Sequence, residues 1–560
     1  MAGRGLTRRE LLAAFLGAPF ALAACGGREG AQPSLPEGEI VGASDGVGHL
    51  IRDGLRPEPE VWERAGVVIV GGGVAGLAAA WRFLRAGFED FVLLELEPEP
   101  GGTARSGDGH GVVPYPWGAH YLPAPQRENR ALVALLDELG VLEGADAEGQ
   151  PVVAEQFLCR DPEERIFYRG RWYEGLYLHA GASEEDARQL QLFNAEVDRW
   201  AAWRDAKGRR AFAIPVSRCS DDAEVTALDR VSMGEWMRGR GLTSERLRWL
   251  VDYGCRDDYG VTVEQASAWA GLFYFASRMK APGAEAQSLI TWPEGNGRLV
   301  RHLYEKARTR VRLGLAVADV RTVEVERRGV ESSHGGGVEV VAVGRDGRGA
   351  VGFRAERVVF AASQFMTKYL LKSYREGVCP PHVAEFEYGA WMVANLFLSD
   401  RPRTGLGFPA AWDNVLYESP SLGYVMATHQ RGLDRGPTVF TYYYPLTEQN
   451  PREARTRLLS AGRDEWADVA LSDLQRAHRD IRALTQRLDV MRWGHAMIRP
   501  RVGFQWGGAR LQAQRPFGPV HFANTDLSGV ALFEEAFDHG LRAAEEVLHA
   551  RGLKSESMRG

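Results

Sequence analysis

The chain has 560 residues, 45% of them apolar and 25% charged, which is enough for two interleaved globular domains with sizeable cores. A formal charge of −6 argues against nucleic acid as a partner, because affinity for the phosphate backbone comes mainly from positive charge. Five widely spaced cysteines with no C-x-x-C pair give no support to a zinc or iron–sulfur centre, so no metal is expected.

At the N-terminus, Thr7-Arg8-Arg9-Glu10-Leu11-Leu12 precedes an apolar, small-residue run to Ala24, then Cys25-Gly26. The run is about 14 residues long, too short for a bilayer span of roughly 20. The paired arginines resemble a twin-arginine export signal, and Leu22-Ala23-Ala24-Cys25 resembles a bacterial lipobox. On that reading residues 1–24 are a signal peptide and Cys25 is lipidated. The partners are then the twin-arginine export machinery and a membrane reached through the lipid, and the location is the periplasm or the outer face of the cytoplasmic membrane. Cleavage by an ordinary signal peptidase near Ala24, with Cys25 incidental, is the alternative. Residues 25–60, rich in Gly, Pro, Ser and acid, are expected as a linker.

The stretch Val67 to Ser106 organises the rest. Val67-Val68-Ile69-Val70 is a short, unbroken β-branched run, as in a parallel strand buried on both faces. Gly71, Gly73 and Gly76 follow at the spacing G-x-G-x-x-G. Gly71 permits the tight turn, Gly73 lets backbone approach a pyrophosphate, and Gly76 lets the next helix pack close. That helix starts near Val74 and Ala75 and aims its amides and dipole at the phosphate. The second strand, Phe91 to Leu94, ends at Glu95, 24 residues beyond Gly71, where a carboxylate can accept bonds from a ribose. Glu97 is the rival, two residues on along the same strand face.

With Gly101-Gly102-Thr103-Ala104-Arg105-Ser106 added, this stretch resembles the FAD-binding N-terminus of the flavin amine oxidase and phytoene desaturase superfamily. The resemblance implies noncovalent FAD, since no Cys or His stands in an evident attachment motif. In that family an Arg directly after the glycine pair helps hold the phosphates. Here that place is Thr103, and Arg105 is the nearest substitute. The implied fold class is α/β: a Rossmann-like FAD-binding domain with a parallel sheet and a β-meander, interleaved with an α+β substrate domain. The FAD domain takes residues 61–125, 290–375 and 495–548; a helical cap takes 126–289, an aromatic-rich sheet 376–494, and a tail 549–560.

In Trp117-Gly118-Ala119-His120 the resemblance puts the Gly118-Ala119 pair against the flavin ring, with His120 toward the substrate side. Residues 128–139, 184–201 and 242–253 carry helical periodicity. Between helices, Arg256-Asp257-Asp258-Tyr259-Gly260 is expected as a turn or cap rather than a catalytic pair. A glycine turn at 295–297 precedes a helix, strands follow over 311–325, 338–343 and 350–361, and the resemblance sets Val317 at the adenine. Lys368 and Lys372 are read as solvated, leaving unassigned the lysine that related amine oxidases place near the flavin. Alternation in 391–398 and 438–444 predicts strands within an aromatic-dense half suited to a flat, apolar or cationic substrate. The segment 518–540 resembles the superfamily's C-terminal FAD motif, with Asp526 as the displaced carboxylate and the next helix facing the flavin.

The implied activity is an FAD-dependent oxidoreductase, amine-oxidase-like, passing a substrate hydride to flavin N5. A small organic molecule, an amine, is the expected substrate, and His120 and Trp506 are the candidate catalytic residues. A desaturase or isomerase of an apolar polyene or ring compound, and a non-catalytic envelope flavoprotein, are the alternatives.

Overall fold

The computed structural model describes residues 35–279, 283, 288–324, 336–403 and 405–559. The expected signal peptide and Cys25 lie outside the described residues.

Two sheets carry the body. The first has seven strands and is built on parallel pairing of Phe91–Glu95 with Val61–Val70, and of Val61–Val70 with Val351–Phe360. Val311–Leu313 extends it on one side, and Val520–Phe522 pairs with the end of Val351–Phe360. The antiparallel meander Leu315–Glu324 with Gly336–Gly344 completes it. Val67, Val68, Ile69 and Val70 are all buried, because helices cover one face and the meander's apolar residues the other. Covering helices are Val74–Arg85, Gly297–Ala307 and Phe533–Ala550. Gly540 of the last lies against the first so closely that a Cβ there would stand 2.2 Å from the Ala75 carbonyl oxygen.

The second sheet has nine strands, and its centre is Tyr388–Leu398 between Thr438–Leu446 and Thr485–Ile498. Tyr388–Leu398 is buried along its whole length, so it packs on both faces rather than alternating between core and solvent.

Two expectations are corrected. The region 126–289 is not a purely helical cap: beside helices Arg130–Glu138, Glu184–Ala202, Glu245–Tyr259 and Ala268–Ala276, strands Glu164–Tyr168 and Arg171–Glu174 join the nine-stranded sheet. Nor is 25–60 a linker throughout. Ile40–Gly42 pairs in parallel with Thr485–Ile498, and the helix Asp45–Arg52 buries Val47 and Ile51 against the meander side of the FAD-type domain. Among the described residues no helix is long and apolar enough to cross a membrane.

Candidate functional site

A cavity of 540 Å³ runs from the glycine turn, past Gly118 and Ala119, into a chamber between the two sheets. At one end lies the glycine turn, whose backbone geometry matches its spacing. Gly71 has φ +100°, where glycine is favoured. A Cβ on Gly76 would stand 1.9 Å from the Gly71 carbonyl oxygen, so this position enforces helix-to-turn contact. On Gly73 a Cβ would meet nothing within 4 Å, because it would project into the cavity. Gly73 caps the helix Val74–Arg85 without a side-chain bond, which leaves the first-turn amides free for an anion. The second glycine pair is pinned to this turn: the Gly101 amide donates to the Gly72 carbonyl at 2.8 Å, and both Gly101 and Gly102 line the cavity.

Glu95 lines the same end. Its carboxylate accepts the Gly72 amide at 2.6 Å and the Glu97 amide at 2.7 Å, while burial pushes its pKa up and these amides oppose that. Each oxygen keeps a lone pair for a ribose hydroxyl. Glu97 instead accepts the Ser44 amide and hydroxyl at 2.7 and 2.9 Å and does not line the cavity, whereas Glu95 does. Val74, Ala75 and Val317 also line the cavity. So does Asp526, which accepts the Tyr388 hydroxyl at 2.5 Å and the Gln364 amide at 2.7 Å and has its pKa raised to about 6 by burial.

Arg105 is placed differently from its expectation. Its guanidinium is buried near Glu97, at 3.8 Å, and the Trp493 ring, at 5.9 Å, and it does not line the cavity. The phosphate-holding role expected of it therefore has no support; its charge is spent on tying the glycine segment to the N-terminal strand, where it reaches the Val41 carbonyl at 3.4 Å.

His120 lines the chamber. Its ring stacks on Tyr443 at 4.9 Å, Nδ1 donates to the Gly118 carbonyl at 3.1 Å, and burial lowers its pKa to about 4. It is a neutral imidazole near pH 7, held by rings and not poised as an acid. The Tyr443 hydroxyl donates to the same Gly118 carbonyl at 2.9 Å. Trp506 is no site residue: its amide donates to Asp229 at 2.9 Å and its ring packs on Trp269 at 6.1 Å, away from the cavity. Lys372 pairs with Glu376 at 3.8 Å, Lys368 lies over Tyr369, and neither lines the cavity.

Sequence reasoning missed the chamber's charge. Asp257 and Asp258 are not a turn between helices. They lie in the last turn of Glu245–Tyr259, and both line the cavity. Asp258 receives Arg278 Nη2 at 2.8 Å on each oxygen, and the Tyr121 hydroxyl stands 3.4 Å from both aspartates. Asp413, on the strand Asp413–Leu416, accepts the Tyr253 hydroxyl at 3.0 Å. Glu534, at the start of the final helix, lines the chamber too. Burial raises the pKa of Asp257 to about 7 and of Glu534 to about 7, and that of Asp413 upward. Trp391 and Trp493 supply further aromatic wall. The local signal was the Asp-Asp pair with Arg278 twenty residues on; what hid it was that a caps-and-turns reading fits the same letters.

Residues 69–139 match the family model of an NAD(P)-binding Rossmann-like domain. Over 199 residues the chain is 32% identical to AofH of Mycobacterium tuberculosis strain H37Rv, provisionally described as a flavin-containing monoamine oxidase; the match spans 34% of this chain and 37% of that relative. Among solved structures, putrescine oxidase bound to putrescine superposes with a TM-score of 0.61 at 18% identity, over 87% of this chain and 100% of that one. Cyclohexylamine oxidase from Brevibacterium oxydans gives 0.58 at 16% over 87% and 99%, and a fatty acid isomerase from P. acnes 0.57 at 14% over 87% and 98%. The chain thus has the mixed α/β fold of these proteins, with a Rossmann-like dinucleotide domain.

Proposed function

We propose that this chain is an FAD-dependent oxidoreductase, amine-oxidase-like, which oxidises a small organic amine. The observation that carries the reading is one continuous cavity joining the glycine turn and Glu95 to a chamber walled by Tyr443, Trp391 and Trp493 and lined by carboxylates. The first-turn amides after Gly73 would face the pyrophosphate, Glu95 the ribose, Val317 the adenine, and the Gly118-Ala119 backbone the ring system. Bound flavin would take the hydride from the carbon next to nitrogen, and oxygen or another acceptor would carry the electrons away.

The chain's own part is to orient and to manage charge. Aromatic faces suit an amine cation on entry, and the carboxylates of Asp257 and Asp413 suit it better than they suit a hydrocarbon. This favours an amine over an apolar polyene, although the fold is also that of a fatty acid isomerase. Attachment is noncovalent in this reading, so denaturation should release a yellow chromophore. Anaerobic stopped-flow mixing with amines, apolar donors and reduced ring compounds tests it. Bleaching by amines is expected; bleaching by apolar donors alone would leave the desaturase reading in place, and a chain that binds no FAD would remove the proposal.

We further propose export by the twin-arginine route with lipidation of Cys25, supported by Arg8-Arg9 and the Leu22-Ala23-Ala24-Cys25 sequence.

A further inference from the structure

The backbone from Pro116 to Tyr121 runs along the cavity, which Gly118, Ala119, His120 and Tyr121 line. Every carbonyl of that strip accepts a hydrogen bond from elsewhere in the chain. The first three are taken by side chains from the three central strands of the nine-stranded sheet. Asn395 Nδ2 donates to the Pro116 carbonyl at 3.2 Å, Trp493 Nε1 to that of Trp117 at 2.7 Å, and the Tyr443 hydroxyl to that of Gly118 at 2.9 Å. The next three are taken from the dinucleotide side: the Asn296 amide, the Thr291 hydroxyl and Asn296 Nδ2 donate to Ala119, His120 and Tyr121 at 3.1, 2.8 and 3.0 Å. The amides of Trp117 and Ala119 in turn donate to the carbonyls of Arg105 and Thr103, both at 3.0 Å. A Cβ on Gly118 would stand 2.2 Å from the Thr103 carbonyl oxygen, so the strip lies flat on the second glycine segment.

Buried carbonyls require donors, and backbone or ordered water supplies most of them. Here three side chains of the other sheet do so at consecutive positions, and their aim is itself fixed. Asn395 is 0% exposed, and the Thr441 hydroxyl donates to its Oδ1 at 2.6 Å, which turns its amide nitrogen toward Pro116. Tyr443 and Trp493 are at the same time walls of the chamber. We infer that Asn395, Trp493 and Tyr443 are positioning residues, a clamp that sets the backbone 116–119 under the flavin ring from the substrate side, so that the chamber wall and the ring's seat form one rigid unit. The inference rests on the FAD reading above and deepens it. Hydride transfer depends steeply on the distance and angle between donor carbon and acceptor, and a strip tied at each carbonyl holds that geometry. The glycine turn and Glu95 hold the cofactor's other end, so loss of a clamp donor moves the ring without releasing the cofactor. The donors differ in weight. Among the described residues the Trp117 carbonyl has Trp493 alone, whereas Gly118 also has His120 Nδ1 at 3.1 Å.

The test uses the FAD-loaded protein and its Trp493→Phe and Tyr443→Phe variants, which keep a ring and lose the donor. The readouts are the FAD dissociation constant, the thermal midpoint, the visible circular dichroism of the bound flavin, and the limiting rate of its anaerobic reduction by an amine set against that amine's apparent dissociation constant. Trp493→Phe should slow the limiting rate by roughly tenfold to a hundredfold and alter the dichroism. FAD and amine should still bind within about threefold of the wild-type affinity. Tyr443→Phe should move the same two readouts in the same direction and by less, because His120 remains. Wild-type dichroism and limiting rate in both variants refute the clamp. So does a rate that falls only in step with FAD affinity or thermal midpoint while the dichroism stays unchanged, which marks a merely structural role. If no amine reduces even the wild-type flavin, the amine reading falls on its own; altered dichroism at undiminished FAD affinity then supports the clamp, and unaltered dichroism refutes it.

Discussion

Replacing Gly73 and Gly76 by alanine, one at a time, separates cofactor binding from folding. At Gly73 the backbone has φ −69° and ψ −178°, which any L-residue adopts, and an added Cβ meets no protein atom within 4 Å. Gly73→Ala should therefore cost the apoprotein at most about 1 kcal/mol, the difference between glycine and alanine at an N-cap. The same methyl would project where a pyrophosphate must approach the first-turn amides. Losing two bonds to a charged phosphate, at about 1.5–3 kcal/mol each, weakens FAD binding by roughly 100-fold to 10,000-fold. At Gly76 the Cβ would stand 1.9 Å from the Gly71 carbonyl oxygen, which is backbone and has nowhere to go without moving the turn. Gly76→Ala should then destabilise the apoprotein by about 1–3 kcal/mol or more, as overpacking does. The assay is FAD titration of each apoprotein by flavin fluorescence, beside a thermal melt without FAD. A Gly73→Ala protein with undiminished affinity would mean that the pyrophosphate does not lie on this turn, and an unchanged Gly76→Ala melt would refute the close approach of helix and strand.

Three further outcomes follow from the chamber and the N-terminus. Asp257 and Glu534 have folded pKa values near 7, raised from 3.8 and 4.5, so the folded state holds protons that the unfolded chain has released; stability present at low pH is lost as pH rises through about 7. His120 and His495 are depressed from 6.5 and push the other way only below that value, so the thermal midpoint of the ligand-free protein should fall between about pH 6.5 and 8, with Asp257→Asn flattening the slope; a midpoint that climbs across this window would contradict the assignment. Arg278→Met leaves Asp258 buried and unpaired and should cost about 3–5 kcal/mol, measured by denaturant unfolding, with Asp258→Asn added in the double variant restoring most of it. Arg8→Lys with Arg9→Lys should hold the chain in the cytoplasm, and Cys25→Ser should release it from membranes, as cell fractionation will show; a Cys25→Ser chain still sedimenting with membranes rules out lipid on that residue as the anchor.

What could be read in advance was what local sequence determines. The strand, glycine turn, helix and acidic strand end over residues 67–95 are one contiguous unit, so the spacing of Gly71, Gly73, Gly76 and Glu95 survives intact in the folded chain. Arg105 failed as a phosphate ligand because its partner, the strand Ile40–Gly42, comes from a segment whose Gly, Pro and Ser content resembles a tether; only pairing with Thr485–Ile498, more than 400 residues away, makes it a strand. Composition cannot show that, since parallel pairing is supplied by the distant partner and not by the segment's own propensity. The chamber's acidity was hidden for a related reason. Asp257, Asp413 and Glu534 come from a helix, a strand and another helix spread over 278 positions, each unremarkable alone, and their clustering in one buried chamber exists only once the two sheets bring them to one cavity. The N-terminal segment shows the same dependence at the cavity's other end. Gly48 and Ile51 of the helix Asp45–Arg52 line it beside Val317, so residues that read as spacer are part of the wall around the proposed adenine position. Loss of that wall would expose the proposed adenine end to water, so retention of the cofactor is expected to depend on residues 45–52 as well as on the glycine turn.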